Sequence, residues 1–139
     1  MQSMRAARAA ARKILGPRLT ALTKQPFRRM FATEYRSHLR LRRGLEIGGP
    51  STMFAGNGEL PIYDVLGSLY NCLCGRSTIW TGGVREGNTF LYDPAKQPGV
   101  QIICEATDLQ PIKDSSCECV LACHCLEHIA NPLRALAEQ

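Results

Sequence analysis

The chain of 139 residues is poor in aromatic side chains, 6% of the total with a single Trp, and no apolar run in it reaches membrane-spanning length. A transmembrane helix is therefore not expected. No internal repeat is found, which excludes a solenoid or propeller. A complete G-x-G-x-x-G is missing as well, so the full dinucleotide-binding fingerprint is excluded. Acids are nearly absent from residues 1–43, where Glu34 stands alone against 12 Lys and Arg. Residues 44–139 reverse the balance, with 11 acids against five basic residues. The formal charge of +5 thus belongs to an N-terminal arm, and the remainder is an acidic domain of ordinary composition, 45% hydrophobic and 21% charged over the whole chain. The seven cysteines are an odd number, which argues against a complete internal disulfide framework.

What is present is organised around Gly44-Leu45-Glu46-Ile47-Gly48-Gly49-Pro50-Ser51. A short apolar run carrying one carboxylate ends in a Gly-Gly-Pro turn. Glycines remove Cβ atoms where a backbone turns sharply or approaches another molecule. A strand, a glycine turn and a nearby acid form the start of a nucleotide-type site in an open α/β sheet, and equally describe a plain turn.

The basic arm, residues 1–43, supports several readings. Arg5, Arg8 and Arg12 recur at helical spacing, and Ala7, Ala11, Ile14 and Leu15 share a side. An organelle-targeting peptide, an anionic membrane surface or RNA each suits such a segment. The favoured reading is a partly helical extension packed on its own domain. No DNA partner is expected.

Residues 52–99 read as loops and short strands, with apolar segments at 60–63, 69–73 and 78–80 between glycines and prolines. No helical periodicity is visible where a helix normally follows a glycine turn. Val100-Gln101-Ile102-Ile103-Cys104 then reads as a strand, with two acids, Glu105 and Asp108, just beyond it. Residues 117–123 read as a second, largely buried strand. Asn131-Pro132 is a helix start, because Asn caps and Pro fits the first turn. Leu133, Leu136 and Ala137 lie on one face of that helix.

Glu46-Ile47-Gly48-Gly49-Pro50-Ser51 resembles the first motif of class I S-adenosylmethionine-dependent methyltransferases. The run from Glu105 to Leu109, and the stretch Leu126-Glu127-His128-Ile129 with its surroundings, resemble the later part of the methyltransferase type 11 group. The resemblance covers residues 44–139 and implies an α/β, Rossmann-like domain with S-adenosyl-L-methionine as cofactor. It further implies methyl transfer to a small molecule or a cell-surface precursor. In this reading the Gly48 and Gly49 amides approach the methionine end and Glu46 fixes the turn or the cofactor amine. Asp108 contacts the adenine amino group, bordered by Ala106, Thr107 and Leu109. Asn71 or Asp64 takes the ribose. His124, just past the fourth strand, is the candidate base or substrate contact, since imidazole titrates near neutrality; His128 is read as structural.

Two other chemistries are weighed. His124-Cys125-Leu126-Glu127-His128 fits a zinc-peptidase pattern, but that needs a helix carrying both histidines and a third ligand. The pairs Cys72/Cys74, Cys117/Cys119 and Cys123/Cys125 are spaced more tightly than metal knuckles, so free thiols in a reducing, cytoplasmic setting are expected. Organelle targeting through the arm is the alternative location. The last three strands of a seven-stranded family sheet are not found, so only the N-terminal half of the sheet is expected. That points to a fragment or a degenerate copy, with the fourth strand left as an edge open to self-association. A non-catalytic module that binds cofactor or partner is the competing function.

Overall fold

The computed structural model describes residues 33–77 and 82–139. The helical reading of the arm before residue 33 and the apolar segment at 78–80 lie outside the described residues. The chain divides into two compact units, Met1–Tyr35 and Arg36–Gln139, and the second holds the sheet. Residues 36–42 already belong to that unit: Arg36 pairs with Asp64 at 2.7 Å, and the Leu41 N–H donates to the Val65 carbonyl at 2.8 Å.

Five strands form one mixed sheet: β1 (Arg43–Ile47), β2 (Ser68–Leu73), β3 (Gly87–Phe90), β4 (Gly99–Ile103) and β5 (Cys119–Ala122). Their order is β3-β4-β2-β1-β5. The four strands β4, β2, β1 and β5 run parallel, and β3 is antiparallel to β4. This is an α/β arrangement consistent with the Rossmann-like expectation. A 3₁₀ turn at Leu126–His128 and one helix, α1 (Pro132–Glu138), follow β5. The chain moves outward from β1 through β2 to β4 and then returns to the other side of β1 as β5. The crevice between the carboxyl ends of β1 and β5 is therefore a topological switch point, where open α/β sheets bind ligands.

Alternation along the strands sorts the two faces. Leu45, Ile47 and Cys72 lie in one buried cluster with Ala106, Leu109 and Ala135, beneath α1 and the loops leading to β5. The opposite face carries Glu46, Asn71 and Gln101, which are cross-strand neighbours in register. Over that face, among the described residues, lie aromatic rings. Tyr63 meets Phe54 and Tyr92 edge-on, at centroid separations of 6.0 and 5.4 Å, and Tyr92 stacks on Phe90 at 5.6 Å. Such pairs add to the area they bury.

Several expectations change at this level. Residues 51–67 run from β1 to β2 without a helix, in agreement with the missing periodicity. The 60–63 segment is not a strand; Ile62 and Tyr63 are buried as loop residues under the sheet. The strand read at 117–123 shortens to 119–122. Asn131 does cap α1, its Oδ1 accepting the Arg134 N–H at 3.1 Å, with Pro132 in the first turn. On α1, Leu133 and Leu136 are 77% and 53% exposed, while Ala135 is fully buried. Periodicity shows which residues share a face, and packing decides which face turns inward.

Candidate functional site

The turn after β1 is held from three sides. The Gly48 N–H donates to the Cys72 carbonyl at 2.9 Å. The Asn71 carboxamide grips Gly49 twice, accepting its N–H at 2.9 Å and donating to its carbonyl at 3.2 Å. Ser51 N–H lies 3.1 Å from Glu46 Oε1 and 2.7 Å from the Tyr63 hydroxyl. The Gly48, Gly49 and Ser51 donors are thus all directed into the protein.

Gly48 adopts a φ of +79°, a left-handed conformation that suits glycine. Gly49 is required for another reason. A Cβ there would lie 2.3 Å from the Glu46 carboxyl carbon, well inside van der Waals contact. Glu46 itself is buried, and Tyr63 donates its hydroxyl toward both carboxylate oxygens at 2.8–2.9 Å. Burial pushes Glu46 up to about 7, against the lowering pull of the Tyr63 hydroxyl and the Ser51 N–H. Burial, reinforced by the Glu46 charge, also raises the Tyr63 phenol.

Asn71 is fully buried in the middle of β2. Besides gripping Gly49, it donates to Gln101 Oε1 at 2.9 Å, and Gln101 donates onward to the Asn71 and Ile102 carbonyls. Asn71, a ribose candidate, thus makes its amide hydrogen bonds to Gly49 and Gln101. Asp64, the other ribose candidate, precedes β2 and pairs with Arg36, at the end of the sheet away from the glycine turn. The carboxyl end of β2 continues as Cys74-Gly75 and carries no acid.

Asp108 lies beyond the carboxyl end of β4, and β4, β2 and β1 run parallel, so the Asp108 turn and the Gly48 turn share one edge of the sheet. Asp108 is exposed; its N–H donates to the Glu105 carbonyl at 2.9 Å, closing the turn. Thr107 is half-buried. Ala106 and Leu109 are buried in the core and anchor the turn from beneath rather than lining its surface.

Two open hollows flank the glycine turn. One, of about 330 Å³, is bordered by Gly49, Pro50 and Leu73 and by residues of the 83–91 segment. The other, of about 400 Å³, sits at the switch point, where Ser51, Thr52 and Met53 from the loop after β1 face Cys123 and His124 after β5. Asn57, Gly58 and Glu59 complete it. Asp108 borders neither. His124 has a φ of +53°, an uncommon conformation for a non-glycine residue, and its side chain is 83% exposed. Its Nδ1 lies 3.5 Å from Glu127 Oε1, an ion pair when the imidazole is protonated. The peptidase pattern is not realised as a helix, since His124 precedes a 3₁₀ turn. Among the described residues no cluster of three or more His, Cys, Asp or Glu is arranged to hold a metal ion.

Sequence reasoning brings the Glu46–Ser51 turn, Asp108 and His124 to the same sheet edge. It missed Tyr63 and Gln101, which complete the buried polar row. The available signal was a polar residue at the centre of each apolar strand, Glu46, Asn71 and Gln101.

Residues 88–139 match the family model described as a methyltransferase domain, type 11. The matched stretch contains Thr107, Asp108, Leu109 and His124; Glu46, Gly48, Gly49 and Asn71 precede it. No curated protein and no solved structure matches the chain.

Proposed function

We propose, for a chain whose residues 88–139 belong to the methyltransferase domain family, that it binds S-adenosyl-L-methionine along the carboxyl ends of β1, β2 and β4. On this reading it transfers the methyl group to a small-molecule acceptor at the switch-point hollow. The observation that carries the reading is topological: parallel strands bring the glycine turn, the Asp108 turn and His124 to one edge of the sheet. The cofactor supplies a methyl group on a positively charged sulfur, so the protein has mainly to align the partners. Asp108 offers an exposed carboxylate to the adenine amino group, and Thr107 borders the ring. Glu46, Tyr63 and Asn71 set the shape of the turn from below. His124, paired with Glu127, takes a proton from a hydroxyl or acidic acceptor. The fit is better at the base than at the sugar, because no acid stands at the tip of β2.

That same observation, with the inward-facing amides of the turn, favours a second reading: a methyltransferase-like chain that binds cofactor or partner without catalysis. Self-association through the outer edge of β5 belongs with it; among the described residues β5 pairs with β1 alone.

Titration calorimetry with adenosylmethionine and its demethylated product separates the readings. A charge-assisted hydrogen bond is worth about 1.5–3 kcal/mol, so Asp108→Ala is expected to weaken binding by roughly 10- to 100-fold. Binding unchanged by Asp108→Ala overturns the adenine assignment. Folded protein that evolves no heat overturns cofactor binding altogether and leaves the partner-binding reading.

A further inference from the structure

We propose that Cys72 and Cys104 are a thiol pair that a hydroperoxide oxidises to a reversible disulfide across β2 and β4. Cys72 lies on β2 and is buried, while Cys104, the residue after β4, is partly exposed. Their sulfurs are 3.1 Å apart, and the Cys72 sulfur is also 3.1 Å from the Cys104 carbonyl oxygen. The Cys104 N–H donates to the Leu73 carbonyl at 2.9 Å, which extends the β2–β4 ladder by one step and holds the two thiols side by side. A disulfide needs the sulfurs to close to about 2.04 Å. The sulfurs have about 1 Å left to close.

The two cysteines divide the chemistry. Burial raises both thiols, and the Asp108, Glu105 and Glu86 carboxylates raise Cys104 further. Cys72 is buried and Cys104 is partly exposed, so Cys104 is the sulfur a reagent reaches and the one that attacks. Its thiolate attacks the peroxide: an S–O bond forms, the O–O bond breaks, and the departing oxygen leaves as water or alcohol after taking a proton. The Cys72 sulfur then displaces hydroxide from the Cys104 sulfenic acid, gives up its proton to that hydroxide, and forms the S–S bond. Two thiols and one hydroperoxide yield one disulfide, one water, and an alcohol or a second water. A dithiol reductant reverses the reaction by exchange.

The bond ties the end of β2 to the start of the 105–108 turn, but its formation does not depend on methyl transfer or cofactor binding. Reduced full-length protein is treated with one equivalent of hydrogen peroxide at neutral pH, alkylated, digested and mapped by mass spectrometry. The expected result is the loss of two of the seven free thiols and a linked Cys72–Cys104 peptide that dithiothreitol releases. In Cys72→Ala the Cys104 sulfenic acid should persist and be trapped by dimedone. In Cys104→Ser, if that variant folds where Cys72→Ala does not, Cys72 should stay a thiol under the same dose. The proposal is overturned if wild-type Cys104 is recovered as sulfinic acid or linked to another cysteine while Cys72 remains alkylated.

Discussion

Glu46 shows how one residue is assigned by its surroundings. An acid in the middle of a buried strand is costly as a carboxylate unless it is hydrogen-bonded. Here Tyr63 and Ser51 supply donors, yet burial prevails and Glu46 rises from 4.5 to about 7. Between those values the folded protein holds a proton on Glu46 that the unfolded chain has lost. Its contribution to stability is fully present below about pH 4.5 and is lost as pH rises through about 7. The span corresponds to about 3 kcal/mol. Denaturant titrations of the wild type and Glu46→Gln across this window should differ in slope, with the wild type losing more stability on the alkaline side. Parallel profiles would remove Glu46 as the source. In the sequence Glu46 was legible as an acid beside a glycine turn. Its partner Tyr63 was not, because 17 residues separate the two and only the fold of the 51–67 loop joins them.

At the scale of elements, the turn after β1 is specified by contacts from both of its neighbours, and substitutions in it should be unequal. Gly49→Ala places a methyl group against the Glu46 carboxylate, whereas Gly56, in the following loop, has nothing within 4 Å of an added Cβ. Overpacking costs about 1–3 kcal/mol, so Gly49→Ala should lower the thermal midpoint clearly. Gly56→Ala should stay within about 0.5 kcal/mol of wild type. Equal shifts in a melting experiment would contradict the geometry. Strands β1, β2, β4 and β5 were legible because apolar runs carry their own signal. β3 was not, since Gly87-Asn88-Thr89-Phe90 has one buried residue and becomes a strand only by pairing with β4. The exposed leucines of α1 make the same point: spacing revealed a helix, and neighbours decided that Ala135 would be its buried contact.

At the scale of the whole sheet, β5 is the outer strand among the described residues, and its Cys-Val-Leu-Ala segment has neither charge nor proline to discourage pairing with another chain. Ala122 is exposed on that strand, so Ala122→Lys adds a charge without disturbing the core. If self-association runs through this edge, sedimentation velocity should show the variant shifted toward monomer at equal concentration, with unchanged circular dichroism. An unchanged distribution would remove the edge as the contact. Residue types and their local order were enough to announce an α/β chain, a glycine turn beside an acid, and the Asp108 and His124 positions, because strand runs and turn chemistry are short-range properties. Which amides face inward, that Asn71 clamps the turn, and that Cys72 touches Cys104 were settled by the pairing of β2 with β1 and β4. Such contacts join residues 22 to 32 positions apart, and no local pattern encodes them.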